Sequence, residues 1–124
     1  MENVIGIIGL GFVGNSMYES FKAKGLQENK NLVAFDKYKH GGIGNFDDCL
    51  KCKILFLALP TNYDNDKNQY NLKPIRETCS LLNQNNFNGV IVIKSTVEPE
   101  TTDILSNEYK LKIIHNPEFL TART

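Results

Sequence analysis

The chain is short of several things, and each shortage narrows what it does. It has three cysteines in 124 residues (Cys49, Cys52 and Cys79), an odd number and too sparse for a disulfide framework. A reducing, cytoplasmic compartment is the expectation. Excess charge is missing too: 14 basic side chains face 14 acidic ones. Nucleic-acid binders carry a basic surplus, so that class is excluded. Arginine is confined to Arg76 and Arg123. No apolar run approaches the roughly 18 residues that would span a bilayer, so no membrane partner is expected. Val4–Ile8 runs straight into a glycine loop, without the basic start and small-residue cleavage site of a signal peptide. What is left is an ordinary soluble composition, 41% hydrophobic and 23% charged, at the length of one domain.

The apolar residues are grouped into short runs. Asn3–Ile8, Asn31–Asp36, Ile54–Leu59, Gly89–Lys94 and Leu111–His115 read as strands, most of them apolar on both faces. Between them lie helical patterns. One follows the glycine loop through Val13, Met17 and Phe21, with Lys24 and Gly25 as its stop. A second spans Leu72–Leu82, and a third spans Pro99–Asn107 with Pro99 in its first turn. Alternation of this kind implies an α/β fold, a doubly wound parallel sheet of about five strands flanked by helices. Right-handed crossovers predict the order 2-1-3-4-5 in the strands' own sequence numbering. The stretch between Asp36 and Ile54 is too short for a full crossover helix, so Ile43–Phe46 is expected as a vestigial strand and Asp47–Cys52 as one helical turn. Asn62–Asn71 is polar and reads as a loop. The whole of 1–124 is expected to be a single domain.

Gly9-Leu10-Gly11-Phe12-Val13-Gly14 matches G-x-G-x-x-G between a strand and a helix. Gly9 would allow the turn off the strand, Gly11 the approach of a pyrophosphate, and Gly14 close helix–strand packing. The helix start then offers its free amides and positive dipole end to phosphate. Asp36 ends the second strand, where a carboxylate accepts ribose hydroxyls and repels a 2′-phosphate. NAD is therefore favoured over NADP, a preference that Lys37 softens without removing. The alternative is a glycine turn in another doubly wound protein, such as a methyltransferase.

Ligands of open parallel sheets bind beyond the carboxyl ends of the strands. Leu59-Pro60-Thr61, Lys94-Ser95-Thr96 and His115-Asn116-Pro117-Glu118 stand at such ends. They would put two hydroxyls, an amide and a carboxylate around the nicotinamide half. Thr61, Ser95 and Thr96 would serve equally as caps of turns or helices, and Glu118 as a solvated loop acid. Cys49 and Cys52 have no second ligand pair, so a structural role is preferred to a metal or redox site, and no metal is expected.

Taken together, GLGFVG at Gly9–Gly14, LPT at Leu59–Thr61, KSTVEPETT at Lys94–Thr102 and NPEFL at Asn116–Leu120 resemble the UDP-glucose/GDP-mannose dehydrogenase family, in its N-terminal NAD-binding, Rossmann-like domain. The resemblance implies oxidation of a nucleotide-sugar primary alcohol to a carboxylate in two hydride transfers to NAD. It implies Gly9, Gly11, Phe12, Val13 and Gly14 at the pyrophosphate and Asp36 at the ribose. Pro60 and Thr61 would line the dinucleotide, with Ser95 and Thr96 near the nicotinamide. Thr96 and Glu118 would position a catalytic water, and Phe119 and Leu120 would face a UDP-glucose-like substrate.

The chain departs from the family at three points. The family's dimerisation helix, sugar-nucleotide domain and cysteine nucleophile in a glycine-rich motif are absent from these 124 residues. Ala122 stands where many members carry a further glutamate, and the crossover helix after Asp36 is missing. The expectation is that this chain alone binds NAD without full turnover. Its partner would be a missing C-terminal half or a second copy, since the uncovered fifth strand favours self-association. The alternative is a non-catalytic NAD-binding or interaction module.

Overall fold

The computed structural model describes residues 4–116. Five parallel strands form one sheet: β1 (Ile5–Ile8), β2 (Leu32–Phe35), β3 (Ile54–Leu57), β6 (Val90–Ile93) and β7 (Lys112–His115), in the order β2-β1-β3-β6-β7. With the small hairpin β4 (Tyr63–Asp64) and β5 (Gln69–Tyr70) set aside, this is the 2-1-3-4-5 order expected of a Rossmann-like sheet. Each strand keeps four residues, and the residue just beyond it still donates to the neighbouring strand, as Gly9 does to Phe35 O and Ala58 to Ile8 O. Register is continuous across the sheet: Ile7 pairs with Ala34 on one side and Phe56 on the other, and Phe56 with Val92.

Helices cover both faces. α1 (Phe12–Ala23) packs Met17 and Phe21 on one face over Ile7, Leu10 and Leu32, with Phe21 and Phe56 ring centroids 5.7 Å apart. It ends in a Schellman motif: Gly25, at φ +105°, donates to Lys22 O, and Leu26 N–H reaches back to Phe21 O. α2 (Phe46–Cys49), α3 (Lys73–Gln84) and α4 (Thr101–Tyr109) lie with the other core cluster, whose centre is Leu55, Leu57, Ile91 and Ile93. From α3, Ile75, Cys79 and Leu82 enter it at helical spacing.

Three expectations need correction. The Asn62–Asn71 segment is not simply a loop: β4 and β5 pair antiparallel, Asp64 Oδ1 accepts the Asp66 and Lys67 amides in the turn, and Tyr63 and Tyr70 meet edge to face at 5.1 Å. Ile43–Phe46 is not a strand. Ile43 makes only an antiparallel bridge to Asp36, and Phe46 starts α2, capped by the Asn45 side chain on Asp47 N–H. The helix of the third pattern starts at Thr101 rather than at Pro99, because the Thr101 amide turns back to Glu98 O and the first α-helical bond runs from Ile104 to Glu100 O.

Candidate functional site: a dinucleotide cleft at the strand ends

The carboxyl ends of β1, β2 and β3 open into a cleft of about 1470 Å³. This exceeds the roughly 300–1,000 Å³ of an ordinary small-molecule site and suits an elongated ligand. Its floor is the glycine loop. Gly9 sits at φ +98°, and a Cβ there would lie 2.5 Å from Ala58 O. A Cβ at Gly14 would collide with Gly9 O, so helix and strand approach as closely as backbone allows. At Gly11 the situation reverses. A Cβ would meet nothing within 4 Å, so the position is open toward the cleft. The first bond inside α1 runs from Asn15 N–H to Gly11 O, leaving the preceding amides without helical acceptors. The first turn of α1 holds no acidic side chain that would neutralise the positive dipole end.

Asp36 projects over this loop from the end of β2. Its Oδ2 accepts the Leu10 amide at 2.7 Å, and its Oδ1 accepts those of Tyr38 and Lys39 at 2.9 Å each. Burial by itself raises the carboxyl pKa. The bonds from Leu10, Lys39 and Tyr38, with the Lys39 charge, outweigh that and hold it below the ordinary aspartate value. Lys39 completes the arrangement by donating from Nζ to Leu10 O at 2.7 Å. Both polar groups of Leu10 are thus held by one turn. Lys39 escaped the sequence reading, because nothing in the pattern shows that the turn after β2 folds back onto the loop.

Gly9, Gly11, Phe12, Val13, Asp36, Lys37 and Pro60 line the cleft, while Gly14 lies buried beneath it. Tyr38 and Phe12, each more than three-quarters exposed, add aromatic surface to its walls. Thr61, Ser95 and Thr96 are outside that lining, tied together at the ends of β3 and β6. Thr61 Oγ1 donates to Thr96 O at 2.7 Å, and Ser95 Oγ donates to Leu59 O at 2.5 Å. The His115 ring, at the end of β7, donates from Nε2 to Ser95 O at 3.0 Å. The Thr61 and Ser95 hydroxyls thus bond strand-end carbonyls, and neither caps a helix. Thr96 itself is exposed. Glu118, Phe119 and Leu120 lie outside the described residues, as does Ala122.

The cysteines are packing residues. All three are buried free thiols. Burial pushes Cys49 and Cys79 up to about 12, and Cys52 to about 11. No group of three or more metal-ligating side chains occurs among the described residues.

A family model matches residues 27–124: the UDP-glucose/GDP-mannose dehydrogenase family, NAD binding domain. The chain belongs to that family. The matched range starts after α1, so the glycine loop joins the assignment through its geometry and its place in the fold. As a member of this NAD-binding domain family, the chain takes NAD as its cofactor. No curated protein sequence matches significantly. Among solved structures, GDP-mannose dehydrogenase from Pseudomonas aeruginosa is similar at 18% identity and a TM-score of 0.67, over 94% of this chain and 36% of that one. A UDP-glucose dehydrogenase from the archaeon Pyrobaculum islandicum matches at 17% and 0.65, over 98% of this chain and 37% of its own. A minor L-lactate dehydrogenase from Enterococcus mundtii in a ligand-bound form matches at 19% and 0.69, over 89% and 43%. The family member therefore spans well under half the length of these proteins. At such identities the likeness concerns the fold, and it extends to a dehydrogenase acting on an unrelated alcohol.

Proposed function

We propose that this chain is the cofactor domain of a nucleotide-sugar dehydrogenase that oxidises a sugar primary alcohol to a carboxylate. The observation that carries this is the pairing of Asp36 with an open Gly11 in one cleft, at the N-terminal end of a helix whose first turn holds no acidic side chain. Gly9, Gly11, Phe12, Val13 and Gly14 would hold the pyrophosphate, Asp36 the adenosine ribose, and Lys37 and Pro60 the walls. Bound NAD would supply the hydride acceptor. Thr61, Ser95 and Thr96 would border its nicotinamide end, because their mutual bonds fix the strand ends that face it. Thr96 and Glu118 would hold a water and take its proton for the hydrolytic half of the oxidation. Phe119 and Leu120 would face a UDP-glucose-like substrate.

The nucleophile would come from elsewhere. Cys49, Cys52 and Cys79 are buried and their thiols are shifted away from the thiolate, so none suits covalent catalysis. A further segment or a partner chain would supply it, together with the sugar-nucleotide site. Within the described residues no helix is long and apolar enough to cross a membrane, in keeping with work on soluble sugar nucleotides. A non-catalytic NAD-binding module is the second reading, favoured by Ala122 in place of the family's glutamate.

Calorimetric titration of the chain with NAD tests the proposal. Saturable binding that Gly11→Val abolishes supports it, while a wild-type chain with no heat of NAD binding overturns it. A turnover assay with UDP-glucose, run with a chain that supplies the nucleophile and the sugar-nucleotide site, separates the two readings, since only a dehydrogenase domain then reduces NAD.

A further inference from the structure

The turn after β2 carries more charge than a ribose subsite selective for NAD requires. In the simplest case a free carboxylate at the end of β2 accepts the ribose hydroxyls and repels a 2′-phosphate. Asp36 is not free in that sense. A carboxylate offers about four acceptor positions, and three here already face backbone amides from Leu10, Tyr38 and Lys39. Those amides direct their positive ends at the carboxylate and spread its charge.

Two cations stand on the same turn. Lys37 is exposed, with its ammonium 5.4 Å from the Tyr38 ring centroid, and Lys39 holds Leu10 O. Both residues line the cleft with Asp36, and of the two it is the Lys39 charge that acts on the carboxylate. The other acidic groups lining the cleft are Glu19 and Glu77, on α1 and α3. Glu19 lies two helical turns from Gly11 and faces Lys22 at 3.8 Å. The turn itself is held shut: Asp36 and Ile43 exchange both backbone hydrogen bonds, at 2.9 and 2.8 Å, which keeps Lys37 and Lys39 at the mouth of the subsite.

We propose that this Asp36–Ile43 turn admits a 2′-phosphate, so that the chain binds NADP as well as NAD. Lys37 is the specificity-determining residue and Lys39 the positioning residue. Lys37 meets the added phosphate, and Lys39 fixes the loop through Leu10 O while its charge partly offsets that of Asp36. The inference rests on the NAD-binding reading above and extends it to 2′-phosphorylated dinucleotides.

The experiment is calorimetric titration of the whole chain with NAD and with NADP at several salt concentrations, for wild type, Lys37→Met, Lys39→Met and Lys112→Met. Wild type should bind the two within about tenfold of each other, NADP with the steeper salt dependence. Lys37→Met should raise the NADP-to-NAD dissociation-constant ratio by about tenfold, the effect of losing one charge-assisted contact. Lys39→Met should weaken both nucleotides and raise the ratio as well. Lys112→Met, on the far edge strand, should leave the ratio unchanged. Thermal melts check that each variant is folded. NAD binding with NADP more than about tenfold weaker overturns the proposal, as does a Lys37→Met ratio equal to that of wild type. A chain that binds neither nucleotide removes the NAD-binding reading itself, a result distinct from selective binding of NAD.

Discussion

Asp36 and Leu10, 26 residues apart in sequence, are joined by a 2.7 Å bond from the Leu10 amide to the Asp36 carboxylate. The bond ties the end of the second strand to the crest of the glycine loop, so the two halves of a dinucleotide site are one structural unit. Removing the carboxylate acts on both. Asp36→Ala is expected to weaken NAD binding by about 1.5–3 kcal/mol, the range for a hydrogen bond to a charged group. Titration calorimetry reads this directly, and an unchanged affinity would reject the ribose role.

The same carboxylate sets a pH dependence. Folding lowers the Asp36 pKa, so its contribution to stability is complete above the unfolded value of roughly 3.9 and is lost as pH falls through the lower folded value. Urea midpoints measured between neutral pH and that acid window should fall less steeply for Asp36→Asn than for wild type. Parallel curves would mean that the loop bonds contribute nothing to the charged form.

Two glycines of one motif should respond in opposite ways. Gly11 faces open space, so Gly11→Val should stay folded and lose NAD binding. Gly14 is pressed against Gly9 O, so Gly14→Ala should destabilise the domain by about 1–3 kcal/mol. Denaturant unfolding alongside NAD titration distinguishes them, and equal stability of the two variants would contradict this division.

The thiols should be silent. With Cys49 and Cys79 raised to about 12 and Cys52 to about 11, a thiol reagent at mildly alkaline pH should label none of the three in the folded chain. All three should react after denaturation. Rapid labelling of a native cysteine would reopen the question of a nucleophile.

Arg76 and Glu108 join α3 to α4 through a 2.6 Å ion pair that is more than a third exposed on both sides. Arg76→Ala should therefore destabilise by less than about 1 kcal/mol. A larger loss in urea unfolding would point to the aliphatic stem and the Tyr109 hydroxyl contact instead.

Much of the fold was legible in the sequence, for a physical reason. Strands buried on both faces must be continuously apolar, so ILFLAL and GVIVIK announce themselves, and right-handed crossovers leave few orders for five parallel strands. The glycine loop was legible as well, since only glycine fits at Gly9 and Gly14. The β4–β5 hairpin was not, because its Tyr63–Tyr70 contact and its tie from the Tyr70 amide to Glu98 join residues that share no periodicity. The onset of α4 was misread because the residues after β6 turn back at Glu98 before the helix begins.

By itself, then, the sequence determined the alternation of strand and helix, the phosphate loop, the acidic residue beyond it and the family motifs at the strand ends. These are local signals, written in neighbouring residues or in short periods. Only the tertiary structure decided which groups hold one another. It brought Lys39 onto the Leu10 carbonyl, closed the Asp36–Ile43 turn, tied Ser95 to Leu59, and set His115 against Ser95. Those bonds depend on where parallel strands end relative to one another in space, and no spacing within a single chain segment encodes that.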